Sequence, residues 1–395
     1  MNSRESIGHH QESPKQCSFS EEFTVIASPD KDKAILDQHV AVIEEMGKPG
    51  GFVESQLKIF PPIEKLWQPS KYLPRMEKPD GMDKLAELQN QARNLSPAVL
   101  VAFTGNLITE DNLAAYLSWL NRIKSIQDKT GADPLPWPKA ARKWTSEEFR
   151  HGVVLGGFAK YSGMIDTDSV DRETQQFIAN GFNPQIGEDP YEAFIYTTFQ
   201  ELGTEIPHSR TGKIAKAYDN TILADICRHV AGDEGRHAHF YGNIQRKIFE
   251  LDPNGAIVAF AKMMKKGILM PGALMGNQEL DATKKSVSLR FMQFALVSQR
   301  IGTYTIEDYK NIYNYLLGSD MWDIENVKVD TPEAEQAKED LLLHIPQKIK
   351  EDAEIQMNKV AQNKRIIKFP WLPEDSPGVD MSNPGITWDD VNKAA

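Results

Sequence analysis

Glu147-Glu148-Phe149-Arg150-His151 is one of two copies of a pattern that decides the fold; the other is Asp233-Glu234-Gly235-Arg236-His237. In each copy a glutamate stands three residues before a histidine. Residues three apart lie on the same face of a helix, so each pair can bind one side of a metal ion. Two such pairs, each joined by a glutamate from another helix, form the dimetal site of a four-helix bundle.

Four segments with helical periodicity carry a glutamate inside an otherwise apolar face. In the clearest one, Val230, Tyr241 and Ile244 continue the face on which Glu234 lies. An ionised carboxylate on an apolar face is costly unless it is paired or bound to metal. We therefore predict that these acids point inward, together with the two histidines. The six predicted ligands are Glu110, Glu148, His151, Glu201, Glu234 and His237.

Four carboxylates and two imidazoles suit a pair of iron or manganese ions, because hard oxygen ligands favour these metals. The ligands also repeat in order: a helix with one glutamate, then a helix with Glu-x-x-His, and the same again. Two helical hairpins would bring all six to one centre. We predict Glu148 and Glu234 as bridging ligands, since they lie on the helices that also supply histidine, and Glu110 and Glu201 as terminal ligands.

The residues beside the predicted ligands repeat as well. Glu147 and Asp233 precede two of the glutamates, and Arg150 and Arg236 precede the histidines. We expect each of these acids to accept a hydrogen bond from the histidine on the other hairpin, which would fix the orientation of the ring. The arginines would balance the charge of the acids.

The rest of the sequence also favours helices, and alternating strand patterns are scarce. We predict an all-α fold: a ferritin-like diiron four-helix bundle core with additional flanking helices. Residues 1–23 are expected to form a flexible tail, 24–368 a single domain and 369–395 an irregular tail. The predicted helices are 97–123, 139–161, 169–180, 190–201, 221–251, 256–266, 281–300, 305–317 and 333–362, with 134–138 as a proline-rich connection.

Composition limits the classes of function. The 395-residue chain has a formal net charge of −11, which argues against broad binding to nucleic acid. Its unbroken apolar runs, such as 98–103, are far too short to span a membrane. The N-terminus lacks the apolar core of a secretion signal, and two cysteines provide no disulfide framework. We expect a cytoplasmic protein, or one of the plastid stroma if the source is a plant or alga.

Longer stretches of sequence carry a family resemblance: 65–69, 107–110, 144–152, 194–201, 233–237 and 249–255. In these the chain resembles the soluble acyl-carrier-protein desaturases, the plastid stearoyl type and its bacterial relatives. The resemblance implies the oxygen-dependent introduction of a cis double bond into a saturated acyl chain carried on acyl carrier protein. It also implies two iron ions per subunit held by the six residues above, a ferredoxin-type electron donor, and a homodimer.

The resemblance assigns roles to further residues. Thr204 matches a threonine that assists proton delivery beside the diiron centre, and Trp67 and Asp233 match residues on a path for electrons. Trp119 and Ala193 match positions of the acyl channel that are commonly the smaller Met and Gly. Because the indole of Trp119 is bulky, we expect a chain-length or double-bond preference different from that of the plant stearoyl enzyme.

Docking of acyl carrier protein needs a local basic patch, because the carrier is strongly acidic and so is this chain. We predict that the patch consists of Arg246, Lys247, Lys262, Lys265 and Lys266. A solvated basic face without a partner is the open alternative.

Two other functions stay open. The first is a diiron acyl hydroxylase or oxygenase, and the second is a non-enzymatic, ferritin-like iron-binding protein. The chain is about twice as long as an iron-storage subunit requires.

Phe149 lies between the predicted ligands Glu148 and His151, at a position where Asn is usual in the family, and the sequence offers no physical explanation for this difference. Among the other histidines, His208, His229 and His344 show no partner pattern, so we predict structural roles for these three.

Overall fold

The computed structural model describes residues 29–276 and 288–394, and these residues are mostly helical. The helices are α1 (Pro29–Met46), α2 (Phe52–Gln56), α3 (Gly81–Ala92), α4 (Pro97–Glu110), α5 (Leu113–Leu120), α6 (Pro136–Ser162), α7 (Thr167–Asn180), α8 (Pro190–Ala217), α9 (Thr221–Leu251), α10 (Pro253–Lys266), α11 (Leu289–Ile301), α12 (Ile306–Leu317), α13 (Pro332–Glu339), α14 (Ile345–Gln362) and α15 (Trp388–Ala394). Two short strands, β1 (Ile366–Ile367) and β2 (Val379–Asp380), pair antiparallel. The all-α prediction is confirmed.

Four helices, α4, α6, α8 and α9, form the centre of the molecule. Helix α8 packs along α9, while α4 contacts α6 and α8, and α6 contacts α9. Their starting points follow from capping, because a side-chain oxygen there accepts a hydrogen bond from a free backbone N–H. Ser96 caps α4, Asp189 caps α8 and Asn220 caps α9.

Apolar side chains surround this centre on all sides. Helix α4 is buried around most of its circumference, which is typical of a helix inside a core rather than on its surface. Phe103 on α4 packs edge-to-face on Phe158 of α6, with ring centroids 5.2 Å apart. Helix α10 contacts α8 and α9, α11 contacts α4, and α12 contacts α8, so flanking helices cover parts of the four-helix core.

Three predicted helix ends differ from those in the structure, and a proline accounts for the first. We predicted 134–138 as a connection, but α6 begins at Pro136 and contains Pro138. Backbone N–H groups in the first turn of a helix have no acceptor within the helix. Proline, which has no N–H, therefore costs no hydrogen bond there. Helix α8 continues past Pro207 to Ala217 rather than ending near Glu201. The predicted helix 97–123 is instead two helices, α4 and α5.

The C-terminal third contains two more differences. The predicted helix 333–362 is interrupted by a π-helical turn, Asp340–His344, between α13 and α14. Pro346 at the start of α14 cannot donate to a carbonyl in this turn, which accounts for the wider turn. The tail from 369, predicted as irregular, contains β2 and α15, and it buries Trp371 completely. The predicted flexible tail 1–23 and the start of the predicted helix 281–300 lie outside the described residues.

Among the residues that the structure describes, no helix is both long enough and apolar enough to cross a bilayer.

Candidate metal centre

The four central helices bring all six predicted ligand side chains to one buried centre. The potential ligand atoms form two groups, and the atoms of each group all lie within 4.8 Å of one another. One group contains Glu110 and His151, the other contains Glu201 and His237, and both contain Glu148 and Glu234. The two shared glutamates are those that the sequence predicts as bridges between two ions.

The two imidazoles are placed in equivalent ways. Nδ1 of His151 lies 3.1 Å from Glu148 Oε2 and 3.1 Å from Glu234 Oε1. Nδ1 of His237 lies 2.8 Å from Glu148 Oε1 and 3.5 Å from Glu201 Oε2. Both rings therefore present one nitrogen to the carboxylates at the centre.

The second nitrogen of each ring points outward to an acid on the other hairpin. Nε2 of His151 lies 3.2 Å from Asp233, and Nε2 of His237 lies 3.2 Å from Glu147. Because these carboxylates accept a hydrogen bond from Nε2, they leave the lone pair on Nδ1 at the centre. The protein thus fixes the ring nitrogen that a metal ion requires.

Two arginines hold these outer acids in place. Arg150 donates to Asp233 at 2.6 Å and to the backbone oxygen of Trp67 at 2.8 Å. Arg236 donates to both Glu147 and Asp233, at 2.7 Å each. The two predicted halves of the site are therefore joined by one charged network.

Burial and neighbouring charges shift the acids in opposite directions. Burial raises the pKa of Glu201 well above its ordinary value. Burial also opposes the charged form of Glu148, but His151 and His237 outweigh it and lower the pKa of that carboxyl. Burial likewise opposes the charge of both imidazoles, yet Glu148 raises the pKa of each. The centre therefore attracts positive charge, and protons compete with a metal ion for it.

The unpaired atoms of the centre fit a pair of metal ions. Within the described residues, Glu148 Oε1, Glu201 Oε2 and Glu234 Oε1 make no aligned hydrogen bond, although all three are buried. His237 Nδ1 is also without one, because its short approach to Glu148 is not aligned for hydrogen bonding. Buried acceptors without partners are costly, and hard cations satisfy such oxygen atoms.

Side chains with predicted roles lie around this centre. Thr204 Oγ1 lies 3.0 Å from Glu234 Oε2. Trp67 donates from Nε1 to Asp233 at 3.0 Å, and its ring stacks parallel to His151 with centroids 6.1 Å apart. The half-buried Trp67 is therefore linked to the candidate ligand His151 through the ring contact and through Asp233.

Two contacts at the centre were not predicted from the sequence. His208 is buried, and its Nε2 lies 2.9 Å from Glu110 Oε1. Trp144 donates from Nε1 to Glu201 Oε1 at 3.1 Å. A signal for His208 existed, because it follows Glu201 by two helical turns and therefore shares its face.

A small aromatic pocket has Trp144 in its wall, and the indole of Trp144 contacts both Glu201 and His237. Trp119 lines the pocket and contacts the rings of Phe182 and Tyr196 edge-on, at 5.6 and 5.5 Å. Ala193, the other predicted channel residue, is buried but does not line this pocket. The pocket is lined by Tyr116, Trp119, Leu120, Trp144, Phe182, Tyr196, Thr197, Gln200, Tyr241 and Pro271.

The residues of the predicted docking patch contact different parts of the chain. Arg246 donates to the backbone oxygens of Met321 and Asp320. Lys262 pairs with the buried Glu192, and Lys265 pairs with Asp340. Lys247 pairs with Glu250, and Lys266 donates to the backbone of Gln185. Their charges are thus partly balanced by the protein itself.

Phe149 lies on the outer face of α6, and 64% of it is exposed. It therefore points away from the ligands on either side of it, and nothing in the structure explains its departure from the usual Asn.

Known proteins are similar to this chain over most of its length. The family model described as fatty acid desaturase matches residues 38–373. The chloroplastic stearoyl-[acyl-carrier-protein] 9-desaturase 1 of Arabidopsis thaliana is 35% identical over 319 residues, which are 81% of this chain and 78% of that protein. The chloroplastic palmitoyl-[acyl-carrier-protein] 4-desaturase 3 of Ophrys sphegodes is 36% identical over 79% of this chain and 76% of its own length.

A solved structure is also similar, but more distantly. The X-ray structure of DesA2 from Mycobacterium tuberculosis covers 77% of this chain and 99% of that one, with a TM-score of 0.45 and 16% identity.

Proposed function

This chain belongs to the fatty acid desaturase family, and we propose on that basis that it desaturates an acyl chain carried on acyl carrier protein. The reaction consumes oxygen and introduces a cis double bond into a saturated chain. The observation that carries the proposal is the buried cluster of four carboxylates and two imidazoles, because it lies inside the region that matches the family.

Two iron ions are the proposed cofactor. Glu110 and His151 would hold one ion, Glu201 and His237 the other, and Glu148 and Glu234 would lie between them. When bound, the irons supply the oxygen and electron chemistry that breaks two unactivated C–H bonds. The oxygen-rich ligand set and the unpaired buried acceptors support this assignment.

The surrounding residues orient the centre and handle protons. Asp233 and Glu147 fix the tautomer and direction of the two imidazoles. Thr204 holds a hydroxyl 3.0 Å from Glu234, where it can pass a proton into the centre. Trp144 orients Glu201 through its indole N–H.

The aromatic pocket would hold part of the acyl chain beside Glu201 and His237. Its apolar lining excludes water, and burial of a methylene group in it contributes about 0.8 kcal/mol. Trp119 and Phe182 meet edge-on across the pocket and limit the length of chain that it accepts. We therefore extend the proposal to a chain-length preference set by Trp119.

We also propose protein partners and a cellular compartment for this chain. A ferredoxin-type protein would supply two electrons through Trp67, and the enzyme would be a homodimer. Acyl carrier protein would dock near Arg246, Lys247, Lys262, Lys265 and Lys266, where the internal ion pairs leave a weaker positive field than free side chains would. The compartment would be the bacterial cytoplasm or the plastid stroma.

Product analysis after controlled loading tests the proposed function. The protein would be loaded with iron without oxygen, reduced with ferredoxin, and given oxygen with a series of saturated acyl carrier protein substrates. We expect about two irons per chain and products that have lost two hydrogens, located by gas chromatography and mass spectrometry. Products that gain one oxygen atom indicate a hydroxylase, and many irons per chain without product indicate an iron store. Either result rejects desaturation.

A further inference from the structure

A tyrosine and a histidine form a hydrogen-bonded pair at the outer end of the Trp67 contact. Tyr72 follows a short helical turn, Pro69–Lys71, and His229 lies on α9. Tyr72 Oη lies 2.9 Å from Nδ1 and 3.0 Å from Nε2 of His229. Both side chains are half-buried, so the pair reaches solvent.

The partners of His229 determine which nitrogen faces the phenol as an acceptor. Nδ1 lies 2.8 Å from the backbone oxygen of Asp225. A carbonyl oxygen only accepts hydrogen bonds, so Nδ1 carries the proton in this contact. Nε2 of the neutral ring is then unprotonated and lies within proton-transfer distance of the Tyr72 hydroxyl.

Aromatic rings connect this pair to the metal centre. The Trp67 ring meets Tyr72 edge-on with centroids 5.9 Å apart, and it lies 6.0 Å from the ring of His229. Its other side stacks on His151. A continuous path of ring contacts therefore leads from the candidate ligand His151 to the half-buried pair Tyr72 and His229.

Two cations along this path disfavour a positive charge on the rings. The ammonium group of Lys71 lies 5.3 Å from the centre of the Tyr72 ring. The guanidinium of Arg150 lies 4.3 Å from the centre of the Trp67 ring. Tyr72 is also protonated, because burial raises the pKa of its phenol. An electron can therefore leave Tyr72 readily only if the phenol proton leaves with it, and His229 is placed to accept that proton.

We propose that Tyr72 and His229 form a proton-coupled relay that carries an oxidising equivalent from Trp67 to the protein surface. When Trp67 has lost one electron, Tyr72 supplies the replacement. The O–H bond of Tyr72 breaks, and its proton forms an N–H bond at Nε2 of His229. The products are neutral Trp67, a neutral tyrosyl radical and a protonated imidazole. An external one-electron reductant, such as a thiol, returns the electron to Tyr72, and His229 returns the proton.

The use of such a relay rests on the proposed function. In the proposed reaction, activation of oxygen without a bound acyl chain would leave the metal centre as a one-electron oxidant of nearby side chains, and Trp67 stacks on its candidate ligand His151. A relay to the surface would remove the oxidising equivalent before it modifies the indole. The pairing itself needs no metal, so it can be tested separately from desaturation.

Flash oxidation of the full-length chain without added metal tests the relay. A photo-generated ruthenium(III) polypyridyl complex serves as the one-electron oxidant, and electron paramagnetic resonance and transient absorption report the tyrosyl radical. We expect Tyr72→Phe to remove the fastest-forming part of the signal. Tyr315→Phe is the matched control, because Tyr315 is 40% exposed and lies on α12, away from this path, and it should leave the fast part unchanged.

A second variant separates proton transfer from mere hydrogen bonding. His229→Gln keeps a polar group opposite the phenol but cannot take up the proton. We expect it to slow formation of the tyrosyl radical at least about tenfold, as loss of a positioned base does. Deuterated water should slow the wild-type chain and not the glutamine variant. Peptide mapping after oxidation should show more oxidised Trp67 in Tyr72→Phe than in the wild type.

Specific results overturn the relay. An unchanged fast signal in Tyr72→Phe, or an equal loss in Tyr315→Phe, shows that Tyr72 is not the preferred donor. An unchanged rate in His229→Gln shows that His229 does not take the proton. None of these results bears on whether the iron-loaded enzyme desaturates an acyl chain, so the two proposals fail independently.

Discussion

The two halves of the candidate metal centre have equivalent ligands but different surroundings. In the His151 half, Trp67 stacks on the imidazole, and the path continues to Tyr72 near the surface. In the His237 half, Trp144 and Phe60 lie against the imidazole, with centroids 6.5 and 6.1 Å away. Trp144 also lines the aromatic pocket, so the pocket lies on the side of this second half. Under the proposed function, one half would face the electron donor and the other would face the acyl chain.

The difference shows how an internal repeat can serve two tasks. Both halves have a Glu-x-x-His pattern and one outer acid behind the imidazole, so both can hold an ion in a similar way. The specialisation lies in the aromatic residues outside the repeat. Substitutions in and around the two halves can test whether they differ in the way these neighbours imply.

The largest expected effect comes from a residue that both halves share. Glu148→Ala removes a carboxylate that approaches both His151 and His237. We expect iron content to fall to nearly none and activity to fall more than about 100-fold, since even outer-acid changes cost 10–100-fold. Metal analysis and product assay measure this. Ser146→Ala on the exposed face of the same helix should change neither, and retention of two irons by Glu148→Ala would show that this carboxylate is not a ligand.

The outer acids compare the halves directly. Asp233→Asn should weaken iron binding by about 10–100-fold. Glu147→Gln should cost less, because Asp233 also contacts Arg150 and Trp67, whereas Glu147 has fewer partners. Competition titrations with a chelator give both affinities, and Asp225→Asn, an exposed change on α9, is the control. Equal losses of iron affinity in the two variants would show that the two outer acids contribute equally.

His208 provides a contact that only the His151 half has. His208→Leu removes the partner of Glu110 and should weaken binding of one iron by about tenfold, leaving the other nearly unchanged. His208→Gln, which can still donate a hydrogen bond, should recover most of the loss. Mössbauer spectra of samples loaded with one equivalent of iron would show which site is affected. Equal weakening of both sites would contradict a local role.

Trp119 tests the His237 half through substrate choice. Trp119→Met should enlarge the aromatic pocket, so longer acyl chains gain about fourfold in kcat/KM for each added methylene that becomes buried. Iron content should stay at the wild-type value, because Trp119 contacts Phe182 and Tyr196 rather than a ligand. Leu117→Met, on the exposed side of α5, is the control. An unchanged product profile across a series of acyl chains would contradict the proposed role of Trp119.

Local spacing explains why so much of the centre could be predicted. Glutamate and histidine three residues apart must share a helical face, and the apolar neighbours of Glu234 show that this face is buried. The flanking residues Glu147 and Asp233 follow from the same repeat. The fold class followed as well, because the ligands require four helices around one centre.

Contacts between distant segments could not be predicted in the same way. Tyr72 lies in a segment between short helical turns, and its contact with His229 depends on how that segment crosses α9. The ion pairs of the predicted docking patch also join distant segments, because Glu192 and Asp340, which pair with its lysines, come from other parts of the chain. Helix ends were missed where proline occupies a first turn, as at Pro136, since a proline pattern alone does not distinguish a helix start from a connection.

The two shared glutamates also affect how the protein takes up metal. With both ions bound, four carboxylates balance two divalent cations. With one ion bound, Glu148 and Glu234 each retain oxygen atoms directed at the other position, inside a buried and net negative cluster. The first ion would lower the net negative charge of this cluster, so the second ion would bind in a weaker attractive field and loading would proceed in two steps. A preparation with an average of one iron per chain would then contain many half-filled molecules, in which Glu148 and Glu234 hold a single ion.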